Sequence, residues 1–143
     1  MNFVLDASVA LLWLVPETNP AGVDNAAATL KALKGSQAVV PSLWALEIAN
    51  VVVKVESRGI VTEADTQRFI ALLERLNIVT DPATAAHALG ETFNIARRYK
   101  LSAYDSAYLE LAQRTGLPLA TLDTESDQGR RHRGRCHLRP LNP

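Results

Sequence analysis

Short apolar runs alternate with longer stretches of helical periodicity along the chain, and this alternation predicts its secondary structure. The runs with the length and flanking turn residues of strands are 2–6, 38–40, 77–79 and 117–122. The stretches predicted as helices are 9–15, 20–33, 43–57, 62–76, 81–99 and 102–115. Short strands that alternate with helices favour parallel pairing with right-handed crossovers. The pattern therefore predicts an α/β fold, in one domain over residues 1–143.

Polar residues that favour N-cap positions precede several of these helices. The candidate caps are Ser8, Ser42, Ser102 and Thr62, the last with Asp65 in a capping box. The segment from residue 123 onward is polar and basic, and an edge strand near residues 137–139 is expected within it.

The composition is that of an ordinary globular protein. Of the 143 residues, 48% are hydrophobic and 21% are charged, which is not the balance of a disordered chain. The formal net charge is zero. This argues against a protein that coats nucleic acid non-specifically, but not against a nuclease whose acidic site is balanced by basic residues elsewhere. The single cysteine, Cys136, excludes an internal disulfide and a cysteine-based zinc site.

The apolar start of the chain is not expected to be a signal peptide or a membrane span. No basic segment precedes it, Asp6 interrupts it, and Pro16 ends it early. A single cysteine also fits a reducing compartment. We therefore expect a cytoplasmic protein with no membrane partner.

Four carboxylates stand where the apolar pattern does not expect them. Asp6 and Asp123 directly follow predicted strands, whereas Glu47 and Asp105 fall on or beside apolar helix stripes. Each has an ordinary alternative: a cap for Asp6, a boundary glutamate for Glu47, a helix N-terminus for Asp105 and a turn for Asp123. In a parallel sheet, however, functional groups gather beyond the carboxyl ends of the strands. All four acids can therefore converge at one rim.

Converging carboxylates repel each other and favour a cation between them. Mg²⁺ takes oxygen ligands and keeps several waters, and such an ion can activate water for phosphodiester hydrolysis. Four polar residues lie near the acids in sequence: Ser8, Asn50, Ser106 and Thr121. They are candidates to orient a ligand or a metal-bound water, and equally to act as caps or local backbone partners.

The chain resembles the PIN-domain family, and within it the VapC-type ribonuclease toxins of bacterial toxin–antitoxin pairs. The resemblance covers about residues 2–124. The segments that carry it, in family order and spacing, are Val4–Ser8, Pro41–Asn50, Leu101–Ala112 and Leu117–Asp123. It departs after Asp123, where similar toxins continue into an amphipathic helix but residues 124–129 carry no apolar side chain. A role of Asp127 as an outer carboxylate stays open.

This resemblance implies a three-layer α/β/α PIN-like fold with a short central parallel sheet. It implies a Mg²⁺ or Mn²⁺ site formed by Asp6, Glu47, Asp105 and Asp123, and endonucleolytic cleavage of RNA by metal-activated water. It also implies a homodimer and a small cognate antitoxin that occupies or obstructs the site.

Two basic clusters flank the proposed site in sequence. One contains Arg97, Arg98 and Lys100, and the other begins with Arg130 and Arg131. They are candidates to hold the RNA phosphate backbone, or alternatively to form solvated surface; the second cluster is also a candidate to bind an acidic antitoxin segment. The apolar first helix and the valine-rich third helix are candidates for a groove that takes an antitoxin helix.

Two other functional classes stay open from the sequence. In a non-catalytic binding module on a PIN-like scaffold, some of the acids would only cap helices. A phosphatase or receiver-type domain would use Asp6 as phosphoryl acceptor. The Asp6-Ala7-Ser8 sequence lacks the second carboxylate two residues on that the phosphatase pattern has, and no lysine is well placed late in a strand.

Overall fold

The computed structural model describes residues 1–122, and within them the chain forms a parallel sheet flanked by helices. The strands are β1 (Phe3–Leu5), β2 (Ala38–Val40), β3 (Ile78–Thr80) and β4 (Leu119–Ala120), in the order β3-β2-β1-β4. Every pair of neighbours is parallel. The predicted α/β fold with a short central parallel sheet is therefore confirmed.

The helices fall between the strands as the periodicity predicts. They are α1 (Ala7–Leu11), α2 (Val23–Ala32), α3 (Trp44–Ser57), α4 (Glu63–Arg75), α5 (Thr84–His87), α6 (Phe93–Tyr99) and α7 (Ala103–Thr115). None of the helices within residues 1–122 has the length and hydrophobicity that crossing a bilayer requires.

The core forms where both faces of the central strand are covered. Phe3, Val4 and Leu5 are fully buried, which is the expectation for a strand whose two neighbours and two faces are all occupied. Helix α7 packs against β1 and contributes Tyr108, Leu109 and Leu111 to this core. The carboxyl end of β1 is thereby fixed between the ends of β2 and β4.

The first helix differs from its prediction at both ends. It begins at Ala7 and ends at Leu11, and two short 3₁₀ turns lead to α2. Its N-cap is Asp6, whose side chain accepts a hydrogen bond from the backbone N–H of Ser8. The prediction of Ser8 as the cap is therefore wrong, since the aspartate directly after the strand takes that position first.

Ser42 is also wrong as a predicted cap. The residue before α3 is Leu43, and no side chain caps this helix. Instead the Ser42 N–H donates to Thr84 Oγ1 at 2.9 Å, a tertiary contact that local sequence rules do not anticipate. The Thr62–Asp65 capping box and the Ser102 cap are confirmed by their hydrogen bonds.

The predicted helix over 81–99 is divided. Helices α5 and α6 are separated by a π-helical turn over Ala88–Thr92, in which Gly90 has the non-helical angles φ −109° and ψ −106°. The prediction of one continuous helix is wrong because a glycine inside a helical pattern adopts backbone angles that other residues avoid.

Candidate active site

Asp6 lies at the carboxyl end of the central strand, where hydrogen bonds from residues of the described part of the chain hold its carboxylate. Its Oδ1 accepts from the Ser8 N–H at 3.2 Å, and its Oδ2 accepts from Thr121 Oγ1 at 2.7 Å. Thr121 directly follows β4, the strand paired with β1, so the pairing of the strands brings the two side chains together. The carboxylate therefore caps α1 and has a fixed orientation at the rim of the sheet.

Glu47 reaches the same rim from the first turn of α3, which follows β2. Its side chain is half-buried, and its Oε1 accepts a hydrogen bond from the hydroxyl of Tyr108 on α7 at 2.5 Å. Burial raises the pKa of Glu47, and the negative charges of Asp6 and Asp105 raise it further, against the Tyr108 hydrogen bond that lowers it. Glu47 is thus near enough to both aspartates to interact with their charges.

Asp105 comes from the opposite side, in the first turn of α7. Its backbone N–H donates to the Ser102 hydroxyl at 3.0 Å, and this cap fixes the start of the helix. The side chain is half-buried, so the position combines the favourable field of a helix N-terminus with restricted contact with solvent.

Asp6, Glu47 and Asp105 line one cleft of about 460 Å³, which we call the carboxylate cleft. The apolar continuation of the cleft lies between α1 and α3, where Leu11, Val15, Val51 and Val55 form its walls. Three of the four predicted acids are thus brought to one rim, whereas Asp123 lies outside the described residues, as do Arg130, Arg131 and Asp127. Beyond this rim, the cleft is mainly hydrophobic.

The oxygen donors of the carboxylate cleft are of the kind that Mg²⁺ and Mn²⁺ accept. Within residues 1–122, no three carboxylate, imidazole or thiol side chains meet closely enough to hold an ion by themselves. Mg²⁺ usually binds through one or two carboxylates and retains several waters. Carboxylates that stand apart around an open cleft therefore fit its chemistry. Burial and, to a smaller extent, the charges of Asp6 and Asp105 raise the pKa of Glu47, and a cation would relieve the repulsion between these charges.

The four polar residues predicted to support the acids have different surroundings. Ser8 and Thr121 contact Asp6 as described, and the Ser8 hydroxyl also accepts from the Leu122 N–H at 3.3 Å. Asn50 is exposed and lines a separate, shallow groove beside Glu47. Ser106 is fully buried, and its hydroxyl has no hydrogen-bond partner among residues 1–122. The structure therefore brings two of the four to a carboxylate.

Tyr108 is a further residue of the site, and its contact with Glu47 is not among the predictions from sequence. The ring is almost completely buried, yet the hydroxyl donates to Glu47, which lines the carboxylate cleft. Burial, the charge of Asp6 and the bond to Glu47 raise the pKa of Tyr108 well above its usual range, so the phenol stays protonated and donates. Its position three residues after Asp105 was the available signal, because residues three apart share a helix face.

A second unpredicted cluster joins α7 to the end of β3. The Arg114 guanidinium binds Asp81 Oδ2 at 2.7 Å and Glu110 Oε2 at 2.6 Å, and His87 Nδ1 lies 3.7 Å from Glu110. Asp81 and Glu110 are buried, so this ion network fixes the far half of the helix that carries Asp105 and Tyr108.

The first predicted basic cluster lies at the end of α6. Arg97 and Arg98 are exposed, with their guanidinium groups over the rings of Phe93 at 4.4 Å and Tyr99 at 5.8 Å. Lys100 ends the helix in the left-handed conformation, with φ 56°. The chain then turns directly into the cap of α7, so the cluster precedes Asp105 by one short connection.

Comparison with known proteins finds relatives along most of the chain. The model of a family described as PIN domain matches residues 3–130. A protein named Ribonuclease VapC3, from Pyrobaculum aerophilum, is 28% identical over 125 residues, which are 87% of this chain and 92% of the relative. A solved structure, PAE2754 from Pyrobaculum aerophilum, has a TM-score of 0.61 at 22% identity, with 90% of this chain and 87% of that chain covered.

Proposed function

The chain belongs to the PIN domain family, and we propose that it is a metal-dependent endoribonuclease that acts as the toxin of a toxin–antitoxin pair. The observation that carries this proposal is the carboxylate cleft, in which Asp6, Glu47 and Asp105 share one rim of the parallel sheet. The ribonuclease name of a relative matched over 87% of the chain supports RNA as the substrate. In this proposal the protein acts in the cytoplasm, where RNA and antitoxin are both present.

Asp6, Glu47 and Asp105, together with Asp123, would hold Mg²⁺ or Mn²⁺. A bound ion of this kind supplies an activated water and neutralises charge on the phosphodiester. The chain's own contribution is orientation: Thr121 and the Ser8 N–H fix Asp6, Tyr108 contacts Glu47, and the cap by Ser102 fixes the helix that carries Asp105.

RNA cleavage by purified variants tests the proposal. We expect Asp6→Asn and Asp105→Asn to lower cleavage in Mn²⁺ or Mg²⁺ by at least ~10²-fold, and to abolish growth inhibition on induction, because each removes a charged ligand without changing volume. Asp24→Asn, on the exposed side of α2, is the matched control. Sequencing of RNA 5′ ends after induction identifies the target. Intact RNA with wild-type protein, or full toxicity of Asp6→Asn, would reject the proposal.

A non-catalytic binding module is the second candidate. The observation that favours it is that Asp6 caps α1 and Asp105 lies in the first turn of α7, roles that need no metal. Calorimetric titration with Mn²⁺ separates the two candidates. Binding that disappears in Asp6→Asn supports the nuclease, and absence of binding to wild type supports the module.

We assign RNA phosphate contacts to Arg97, Arg98 and Lys100, whose exposure next to the start of α7 supports this role. Contacts to phosphate position RNA without reading its sequence. Arg97→Gln and Arg98→Gln should each raise KM for RNA several-fold with little change in kcat, and the exposed Lys31→Gln should not. Arg130 and Arg131 are proposed for the same role. The proposed phosphate contacts would be excluded if KM were unchanged in the glutamine variants of all four arginines.

The apolar part of the carboxylate cleft is the proposed seat of an antitoxin helix. Its walls, formed by Leu11, Val15, Val51 and Val55, match the hydrophobic face of an amphipathic helix, which would then obstruct the acids. A co-expressed antitoxin should co-purify with wild type and be lost from Val51→Asp. Failure to co-purify with wild type would count against this partner.

A homodimer is the last part of the proposal. The shallow groove beside Glu47 is bordered by Leu46, Val53 and Tyr104, whose side chains are 74%, 66% and 65% exposed. Large apolar side chains grouped on a surface mark interaction sites. Light scattering should show a wild-type dimer that Leu46→Asp dissociates, with Ile70→Asp on α4 as control. A monomeric wild type would exclude the dimer.

A further inference from the structure

Glu47 and Tyr108 are 61 residues apart in sequence, yet the Tyr108 hydroxyl donates directly to Glu47, which lines the carboxylate cleft. Tyr108 belongs to α7 and Glu47 to α3, which follow different strands of the sheet. The hydrogen bond therefore connects α3 and α7 at Glu47, which is one of the proposed metal ligands. No comparable tie to a side chain is present for Glu47 elsewhere in residues 1–122.

The ring of Tyr108 is packed in the hydrophobic core. Its side chain is 2% exposed and is the largest of the fully buried side chains in the described part of the chain. A buried tyrosine normally finds a partner for its hydroxyl, and here that partner is Glu47 Oε1, while the backbone amide of Ala7 also interacts with the phenol oxygen. The buried ring therefore holds its hydroxyl in one position, where it is the hydrogen-bond donor to Glu47.

The Glu47 side chain is less constrained by its own packing than the side chain of Tyr108. A glutamate has three rotatable side-chain bonds, and a half-buried one near Asp6 and Asp105 is repelled by both. The Tyr108 hydroxyl engages Oε1, whereas Oε2 makes no hydrogen bond within residues 1–122. One carboxylate oxygen is consequently anchored, and the other is left for a cation or its water in the cleft that Glu47 lines.

We propose that Tyr108 is a positioning residue for the proposed nuclease site, which holds Glu47 against the repulsion of the two aspartates so that Oε2 is presented to the metal. The inference rests on the proposed function, since it assigns Glu47 a metal-binding role. Tyr108 itself does not touch the metal or the RNA; it acts through Glu47.

The test compares Tyr108→Phe, which removes only the hydroxyl, with Thr115→Val on the same helix, which removes an exposed hydroxyl that donates to the Leu111 carbonyl at 2.7 Å. Mn²⁺ affinity is measured by calorimetry without RNA, and kcat and KM are then measured with RNA. We expect Tyr108→Phe to weaken Mn²⁺ binding about 10-fold, as is typical for the partner of a metal ligand. kcat should fall with KM for RNA unchanged, and Thr115→Val should match wild type in both measurements.

A double-mutant cycle with Glu47→Gln separates positioning from packing. If Tyr108 acts through Glu47, the loss of Mn²⁺ affinity caused by Tyr108→Phe should disappear in the Glu47→Gln background. An equal loss in both backgrounds, or wild-type affinity of Tyr108→Phe, would overturn the inference. All variants are compared with trimethylamine N-oxide present as well, since this osmolyte favours the folded state.

Failure to fold even in trimethylamine N-oxide would assign the phenol to core stability and overturn the positioning role. The proposed function has its own outcome in the same experiment. A wild type that binds no Mn²⁺ rejects both, whereas a wild type that binds Mn²⁺ and loses it in Asp6→Asn leaves the function standing if Tyr108→Phe has no effect.

Discussion

Glu47 occupies a position in the cleft where burial and the neighbouring aspartates both disfavour its charged form. A group whose pKa is raised by folding stabilises the folded protein when protonated, and this contribution is lost as the pH rises through the raised pKa. At neutral pH the ionised Glu47 therefore lowers stability, in a place where natural proteins often exchange stability for function.

Glu47→Gln should consequently stabilise the metal-free protein at pH 7. We expect a rise in Tm of a few degrees in EDTA, because the amide removes the buried charge and still accepts from Tyr108. The difference should shrink as the pH falls towards 4.5, the ordinary pKa of the group, because the raised pKa keeps most of Glu47 protonated in the folded wild type at that pH. Thermal unfolding between pH 4 and 8 measures this. A lower Tm for Glu47→Gln at pH 7 would contradict the expected sign.

The hydroxyls of Ser106 and Thr121, both predicted to support the site, should respond oppositely to removal. Ser106 is buried without a partner in the described residues, so Ser106→Ala relieves an unsatisfied group and should raise the free energy of unfolding by up to ~1 kcal/mol with cleavage unchanged. Thr121→Val removes the donor to Asp6 Oδ2 and should weaken Mn²⁺ binding about 10-fold. Urea unfolding and calorimetry provide the measurements; inactive Ser106→Ala would restore a functional role to that hydroxyl.

At the scale of elements, α7 is the helix on which the site depends. Ser102 caps its start, Asp105 and Tyr108 lie along its first half, and Arg114 ties its end to Asp81 beyond β3. The Arg114 hydrogen bonds lower the pKa of Asp81 despite burial, which raises it. Stability from such a group is present above its ordinary pKa of 3.8 and is lost as the pH falls through the lowered value.

Asp81→Asn should therefore destabilise the protein at pH 7, by ~1–3 kcal/mol, since a charge-assisted bond to a mostly buried acid is lost. The gap to wild type should narrow as the pH falls below 3.8 and through the lowered pKa of Asp81, where the wild-type carboxylate also becomes protonated. Urea unfolding across this pH range tests both parts, with Asp24→Asn as an exposed control. A gap that stays constant down to pH 2 would show that packing, not charge, carries the loss.

At the scale of the whole molecule, much of the fold follows from local pattern. The periodicity located every strand of residues 1–122, and the Thr62 and Ser102 caps followed from side-chain chemistry that acts within one turn. The errors at Ser42 and Gly90 arose where a tertiary contact or an unusual backbone angle overrides local preference. Rules that consider only side-chain preferences within one helix turn account for neither the tertiary contact nor the backbone angle.

The same distinction applies to the site. Three acids could be selected because each breaks an apolar pattern, and parallel topology then predicts a common rim. The Tyr108–Glu47 and Arg114–Asp81 contacts join residues 61 and 33 positions apart. The three-residue spacing from Asp105 places Tyr108 on the same helix face, but no local rule predicts that its hydroxyl contacts a glutamate 61 residues away.

The charge distribution of the whole molecule yields a last prediction. The formal net charge is zero, yet three acids share the cleft where the RNA phosphate is proposed to bind, so the metal-free rim repels the substrate. A divalent cation offsets two of these negative charges. Wild type should therefore bind a non-cleavable RNA at least ~10-fold more tightly in Ca²⁺ than in EDTA at equal ionic strength, which corresponds to about 1.4 kcal/mol. Fluorescence anisotropy measures the affinity.

Asp6→Asn should bind better than wild type in EDTA and gain less from Ca²⁺, because one repelling charge and one ligand are lost together. An equal gain in both proteins would locate the cation's effect away from the cleft.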